Sequence, residues 1–482
     1  MNPIIVLELI LYCIGMMGIG IYFSRKKLSG KEFTTGGGKI PGWALAFSER
    51  AACESVYLLM GATGFAYTTG VSSIWLFVGS AIGTMSFWIF FGKVIKRDNE
   101  KYQATTLIDY ISMKFVKDAN MIRKCACLCI IIFFMFYLSA QFSGAGKALF
   151  TVTGMEPFYG TILISIIVVL YATLGGFMSV VWADVVQSIL MVVTLVVVPI
   201  IAFLNLQNQG VDLSQTLAAA GEGMNSFVGG KEGIAAFLLV FANLNWCFTF
   251  WGGQPQLTGR ILVMKSEKEY NISRNIALGW IAAAYAGAFF IGITAIGLYG
   301  PNAFSDPEML LPTMIQDLFP PYIAGILIAA IIAAIMSTSA SVILVLVTTI
   351  TDDILVKSLK KDLTSQQVVK TSRLVILGAG IVGLIITMTS EDLIYYIVSW
   401  FSAGIGSGLS ATVCLGLFDK KSTGKGIVAS IIAGTVVTIV WMSTPLEAVV
   451  SARFITFFVA TITGIIVSRI TSKQESEESV LN

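Results

Sequence analysis

Residues 42–66 read GWALAFSERAACESVYLLMGATGFA, an apolar stretch interrupted by ionisable side chains. A helix needs about 20 mainly apolar residues to cross the hydrocarbon core of a bilayer. A charged group at that depth costs about 2.5–3.5 kcal/mol on insertion scales, so it usually pairs with another group or faces a cavity. Glu49, Arg50 and Glu54 therefore mark this stretch as a candidate functional element within a membrane.

The rest of the chain repeats the apolar pattern. Of its 482 residues 56% are hydrophobic and 12% charged, whereas soluble domains carry about 25% charged residues. This composition predicts an all-α polytopic membrane protein with about thirteen transmembrane helices and disfavours a soluble protein with buried core helices. The predicted spans are 4–23, 42–66, 71–93, 125–148, 157–176, 180–206, 234–254, 275–299, 321–348, 374–389, 393–417, 426–443 and 447–468.

Lys and Arg concentrate in alternate loops, namely those after spans 1, 3, 7, 9 and 11, and Lys231 is the clear exception. Basic loops stay in the cytoplasm, so we expect a multi-pass protein of the inner (plasma) membrane with its N-terminus outside and its C-terminus inside. No basic region precedes the first span, which argues against a cleaved signal peptide. The net charge of +3 is thus a topology signal, and we expect no nucleic-acid partner and no obligatory protein partner.

The sequence also disfavours an enzyme. It contains no His, which removes His-based catalysis and most zinc chemistry. Glu49, Arg50 and Glu54 form the only ionisable cluster within a span, and the seven Cys lie in or beside spans. We interpret the seven Cys as ordinary apolar residues.

A second span is interrupted like the first. Span 7 carries Asn243, Asn245 and Trp246, followed by residues 252–255, which read GGQP. Broken spans mark substrate sites in transporters. Spans 2 and 7 start five spans apart and enter from opposite sides, as do the first helices of two five-helix halves of opposite topology.

Glu49, Arg50 and Glu54 allow two interpretations. Arg50 and Glu54 are four residues apart and share one face of a continuous helix. Glu54 could occupy a cation or proton site, with Arg50 as its counter-ion or as a clamp for a substrate carboxylate. Alternatively, the pair neutralises itself and locks span 2 to a neighbour. We expect Glu49 to point elsewhere and to close a cytoplasmic gate.

Small and hydroxyl-bearing residues recur in span 9, where Ala334, Ser337, Thr338 and Ser341 are spaced three and four residues apart. Hydroxyls, together with carbonyls released by an unwound helix, can surround a hard cation. Close helix packing through small residues is the alternative. Asp184, near the cytoplasmic start of span 6, is either functional or a lone solvated carboxylate.

Together these segments give the chain a family resemblance. From about residue 10 to about residue 440 it resembles the sodium:solute symporter family. Within that family it most closely resembles the sodium/proline symporter branch. The motifs that carry the resemblance are residues 33–42, 55–61, 175–177, 182–187, 253–255 with Arg260, and 333–338. The resemblance implies a LeuT-like fold, an inverted five-plus-five repeat with one helix before it and two after. The implied divisions are an N-terminal helix and loop at 1–41, halves at 42–206 and 234–417, C-terminal helices at 426–470 and a disordered tail at 471–482.

The resemblance also implies ligands for the coupling ion Na⁺. Carried over, the main cation site falls on Ala51, Glu54, Ala334, Ser337 and Thr338. A candidate second cation site falls on Asp184 and Ser341, although Ala340 stands where the family has a hydroxyl.

This sequence departs from the proline branch near Glu54. Cys53 stands where that branch has an aspartate, and Glu54 follows it where an apolar residue is usual. Arg50 replaces a small residue, and Tyr57 replaces a Trp. Sodium binding assisted by Glu54 and proton transfer by Glu54 therefore both remain open.

Candidate solute contacts come from two sources. The resemblance implies Ser55, Tyr57, Tyr137, Trp251 and Pro255, while position and polarity add Gln141, Trp246 and Trp400. Packing is an equally good interpretation of each aromatic residue. Arg50 joins the solute set through its possible clamp role.

The sequence thus predicts a secondary active transporter that performs Na⁺-coupled symport of a small organic solute into the cell. An amino acid such as proline is the favoured solute. The alternatives are proton coupling through Glu54, sodium-independent carriage of a monocarboxylate or other small solute, and, more distantly, a channel or sensor.

Overall fold

The computed structural model describes residues 2–26, 29–389, 393–448 and 450–481. Within this part of the chain, eleven helical segments are long and apolar enough to cross a membrane. They are α1 (Pro3–Ser24), α2 (Gly42–Asn99), α3 (Val116–Thr153), α4 (Pro157–Asn208), α5 (Gly233–Leu262), α6 (Glu267–Tyr299), α7 (Pro321–Ser358), α8 (Ser365–Thr389), α9 (Ile394–Phe418), α10 (Gly424–Met442) and α11 (Ala452–Leu481). Shorter helices are Gly30–Thr35, Leu107–Lys114, Leu213–Ala219 and Leu310–Leu318.

Helix α2 folds back on itself. Its 58 residues would measure about 87 Å if straight, nearly three times the hydrocarbon thickness. Both of its ends approach the beginning of α6, because Gly42 lies against Glu269 and Gly92 against Tyr270. Between them the chain leaves helical geometry at Gly70, where φ is 65°. Helix α2 therefore passes through the bundle twice.

Helix α4, with 52 residues, also folds back on itself, and its turn lies at Gly176. There φ is 55°, and a Cβ atom would lie 2.5 Å from the Phe33 carbonyl oxygen, so the turn requires glycine. Near its start Gly160 approaches Leu149, and near its end Leu206 approaches Gly297. The fold-backs of α2 and α4 are compatible with thirteen membrane spans, and that count stays a prediction.

The two ends of the bundle differ in charge. A common surface cavity is lined by Lys31 of the short helix Gly30–Thr35, Lys96 near the end of α2, and Lys265 between α5 and α6. We call this the basic end and the other the opposite end. The arrangement agrees with the alternate loop charges in the sequence, and its assignment to the cytoplasm stays a prediction.

Helix α7 occupies the centre and is the most buried of the eleven segments. Its side chains from Ile328 to Leu344 are all buried, since small residues let α2, α3 and α4 pack closely around it. By contrast, α1 exposes Leu7, Leu11 and Ile14 at 56–61%, as expected for contact with lipid. Ser337 and Thr338 therefore face protein.

The last helix differs from the expectation. The sequence predicts disorder for 471–482, whereas α11 continues to Leu481. No Gly or Pro follows Gly464 to end the helix, and the residues of the tail are compatible with helical backbone.

Candidate functional site

Oxygen atoms from α2 and α7 converge near the centre of the bundle. Ser337 Oγ donates to the Ala51 carbonyl at 2.9 Å and to the Ala334 carbonyl at 3.1 Å. Thr338 Oγ1 lies 3.3 Å from the Ala51 carbonyl and 3.4 Å from the Ala52 carbonyl. We call these five residues the candidate cation site. Four of the five predicted ligands contribute, and Ala52 is an addition that the sequence analysis missed.

The predicted break in α2 lies at Ser55. Its φ of 50° and ψ of −176° belong to a region that is nearly restricted to glycine and costs about 1–3 kcal/mol for other residues. The Val56 amide, which a regular helix would aim at the Ala52 carbonyl, donates to Gln141 Oε1 at 3.3 Å. The Tyr57 amide donates to Ser55 Oγ at 3.0 Å. The break thus releases a carbonyl toward α7 and holds its new geometry with side chains.

These ligands fit a sodium ion. All five oxygens are uncharged carbonyl or hydroxyl groups, and the C-terminal end of the half-helix that stops at the break carries partial negative charge. Unwound carbonyls and half-helix ends hold Na⁺ in transporters of this kind. Glu54 departs from the prediction, because its carbonyl accepts the Tyr57 amide and no hydrogen bond joins it to α7 among the described residues.

Glu49, Arg50 and Glu54 form one buried triad. Arg50 Nη1 donates to Glu54 Oε1 at 2.6 Å, while Nε and Nη2 both donate to Glu49. Trp88 Nε1 also donates to Glu49, at 3.2 Å. The prediction that Glu49 points elsewhere is wrong, because the planar guanidinium spans both carboxylates. The positive charge of Arg50 is paired with carboxylates of the triad. This favours the counter-ion role of Arg50 over a role as a clamp for a substrate carboxylate.

Asp184 is fully buried and is not the lone solvated carboxylate that the sequence allowed. Ser48 Oγ donates to it at 2.6 Å and Arg260 Nη2 at 3.2 Å. The same Arg260 nitrogen donates to Ser341 Oγ at 2.7 Å. A guanidinium therefore lies between the two residues predicted for the second cation and already supplies positive charge there.

Polar atoms without partners collect around Tyr57. Tyr57 stacks on Trp246 with centroids 4.9 Å apart, and Tyr395 lies 6.0 Å from Tyr57. The Tyr57 hydroxyl, Trp246 Nε1 and Gln141 Nε2 are buried with no hydrogen-bond partner among the described residues. Buried polar groups are normally satisfied, so this central aromatic group (Tyr57, Trp246 and Tyr395) is a candidate place for a polar solute. Tyr395 was not predicted.

The other predicted aromatic solute residues each stack on or pack against further aromatic side chains. Trp251 donates to Ser86 and stacks on Phe91, and Trp400 packs against aromatic residues of α3. Tyr137 is buried, with its ring parallel to Phe401 at 4.0 Å. For these three aromatic residues the contacts favour packing. Pro255 lies on the cavity described next.

A narrow cavity opens toward the basic end. It is lined by Thr106, Phe177, Pro255, Arg260, Ser341 and Asp353, among others. At the opposite end the path is closed by an ion cluster. Lys147 pairs with Asp306 and Glu308 at 2.9 and 2.6 Å, and Glu308 accepts the Tyr395 amide at 3.0 Å. The cavity therefore reaches Arg260 and Ser341 from the basic end, whereas the residues of the candidate cation site are buried.

The broken part of α5 touches α9 through backbone atoms, which gives a first prediction. At Gly253 a Cβ atom would lie 2.1 Å from the Ser410 nitrogen, and the Gly253 amide donates to Ser410 Oγ. We expect Gly253→Ala to lower the melting temperature of the detergent-solubilised protein by about 3 °C or more, since overpacking costs about 1–3 kcal/mol. Gly259→Ala is the control, because nothing lies within 4 Å of its Cβ position. Equal melting temperatures for both variants would contradict the close contact.

Comparisons with known proteins agree with this geometry. A family model described as "Sodium:solute symporter family" matches residues 33–434. The high-affinity proline transporter PutP of Bacillus subtilis is 30% identical over 90% of this chain and 91% of its own length. A sodium/proline symporter of Staphylococcus aureus is 30% identical over 87% of this chain and 83% of its own. A solved Na⁺-coupled sialic acid symporter has the same fold, with a TM-score of 0.80 at 22% identity and coverage of 97% and 98%. The chain belongs to the sodium:solute symporter family.

Proposed function

We propose that this protein couples the entry of Na⁺ to the uptake of a small amino acid such as proline. Sodium-coupled solute symport is what its family membership implies, and proline is the solute named for two of its relatives. The single observation that carries the proposal is the approach of Ser337 and Thr338 to the Ala51 carbonyl. This observation supports the proposal because neutral oxygen atoms from two different helices lie close together beside the break in α2.

The geometry supports a coupling mechanism. An ion at the candidate cation site ties the half-helix before Ser55 to α7, and that half-helix continues directly into Tyr57 and the central aromatic group. Binding of the ion therefore favours one arrangement of the solute contacts, which is how a ligand shifts a conformational equilibrium. With the predicted orientation, one positive charge moving inward across 100 mV releases about 2.3 kcal/mol. That supports roughly fifty-fold accumulation of solute.

The test is uptake of labelled L-proline into proteoliposomes that contain the purified chain. We expect uptake to require external Na⁺ and to fall to the level of empty liposomes when choline replaces it at constant pH. The reason is that choline is too large to be held by the five oxygens. Undiminished uptake in choline would exclude sodium coupling, and absence of uptake in Na⁺ would exclude proline as the solute.

One observation favours proton coupling as a second candidate. The triad contains two carboxylates and one guanidinium, and within the described residues no further cation pairs with Glu49 or Glu54. If both acids are ionised, the triad holds an excess negative charge in the core. A proton on Glu54 would neutralise it, and that proton could travel with the solute. Uptake in choline that follows an inward proton gradient and is abolished by a protonophore would support this candidate.

A further inference from the structure

Arg453 is a buried cation whose partners differ from those of the other buried arginines. It is the second residue of α11, outside the two predicted five-helix halves, and only 5% exposed. Its guanidinium carbon lies 4.3 Å from the centroid of the Trp246 ring, and Nη1 donates to Ser399 Oγ on α9. The side chain therefore reaches the central aromatic group from the end of the bundle at which α11 begins.

Among the residues that the structure describes, Arg453 has no ion-pair partner of the kind that the other buried arginines have. Arg50 pairs with two glutamates and Arg260 with Asp184. In the part of the chain that the structure describes, Arg453 forms no ion pair, and its Nε has no acceptor. Glu447, which is close by, accepts the Ala452 amide instead. A buried charge without a partner is strongly destabilising. An anion from outside the chain that pairs with Arg453 would therefore stabilise the folded protein.

Several hydrogen-bond donors around Arg453 have no acceptor among the described residues. Trp246 Nε1 can only donate, and it is buried without an acceptor, as are the Tyr57 hydroxyl and Asn245 Nδ2. Trp246 contacts both the Arg453 guanidinium and the Tyr57 ring. A surplus of donors beside an unpaired cation matches a ligand that brings acceptors and negative charge. A carboxylate supplies both, and arginine binds it with charge-assisted hydrogen bonds.

We propose that Arg453 binds the carboxylate of the transported solute and so restricts transport to carboxylate-bearing molecules. This rests on the proposed function, because it assumes that the solute visits the central aromatic group. The cation–π contact with Trp246 orients the guanidinium while no solute is bound. Lys147 pairs with Glu308, which also accepts the Tyr395 amide, and closure by this pair would then follow the arrival of the carboxylate.

The test compares acids with their amides. The melting temperature of the purified protein is measured in Na⁺ with L-proline, L-alanine and L-lactate. Each acid is compared with its uncharged amide, namely prolinamide, alaninamide or lactamide. For wild type we expect at least one acid to bind about tenfold or more tighter than its amide. In Arg453→Gln this preference is expected to fall below about threefold, while Arg453→Lys retains part of it.

Controls separate folding and function from recognition. Stabilisation by Na⁺ alone shows that a variant is folded, since the cation site does not involve α11. Arg469→Gln on the same helix removes an exposed pair with Asp419 and should keep the wild-type preference. An unchanged acid preference in Arg453→Gln would overturn the inference and leave the proposed function standing. Wild type that binds none of the acids would overturn both.

Discussion

Loss of both α7 hydroxyls, in Ser337→Ala with Thr338→Val, is expected to raise the sodium concentration for half-maximal uptake by about 100-fold or more. Each hydroxyl supplies one oxygen that lies within 3.3 Å of the Ala51 carbonyl. An interaction of a polar group with a charge contributes about 1.5–3 kcal/mol, so each loss should cost roughly tenfold or more. Valine keeps the shape of threonine, so the change removes the oxygen and little packing.

The measurement is solute uptake into proteoliposomes over a range of Na⁺ concentrations. Ser339→Ala is the matched control, because Ser339 lies on the same helix, is buried and has no hydrogen-bond partner among the described residues. Its half-saturating Na⁺ concentration should stay within about twofold of wild type. We also expect the solute affinity of the double variant to recover at saturating Na⁺. If the double variant kept the wild-type Na⁺ dependence, these hydroxyls would be packing groups only.

The helix breaks could be predicted because their signals are local. Ionisable residues at 49–54 and the GGQP run at 252–255 both lie inside apolar stretches, and the structure breaks at Ser55 and at Gly252. The spacing of Ala334, Ser337 and Thr338 also sets their common face on a regular helix. What lies beyond a break could not be predicted in the same way. The one residue outside helical geometry, Ser55, diverts the Val56 amide from the Ala52 carbonyl to Gln141, so Ala52 contributes where Glu54 was expected.

Long-range partners were the main omission. Asp184 and Arg260 are 76 residues apart, and no spacing rule joins them, although the cost of a buried carboxylate signals that a cation must be near. The same rule singles out Arg453 within span 13. It could not name Trp246 as its neighbour, because that contact depends on how α11 packs against α5. The aromatic residues were ambiguous for a similar reason, since Tyr57 and Trp400 look alike in sequence and differ in what surrounds them.

Arg50→Met is expected to be the most damaging single substitution in the chain. It leaves Glu49 and Glu54, both buried, without the guanidinium that binds them, and removing one partner of a buried ion pair costs about 3–5 kcal/mol. We expect the melting temperature to fall by about 3–5 °C, with a lower yield of folded protein. Glu49→Gln/Arg50→Met/Glu54→Gln removes all three charges and should recover much of the loss. A triple variant no more stable than Arg50→Met would show that packing, and not charge, explains the damage.

Glu54→Gln then distinguishes the ions that could neutralise the triad. It leaves Arg50 paired with Glu49 alone, a balanced pair, so we expect this variant to fold. The other titratable groups that face Glu54 are Glu49, Arg50, Cys53 and Tyr285. If Glu54 carries a proton, uptake driven by an inward proton gradient disappears in the variant. If sodium alone is coupled, Na⁺-driven uptake persists with a changed Na⁺ requirement and no new dependence on pH. Normal uptake with unchanged cation dependence would make the triad purely structural, because an excess charge that drives coupling cannot be removed without effect.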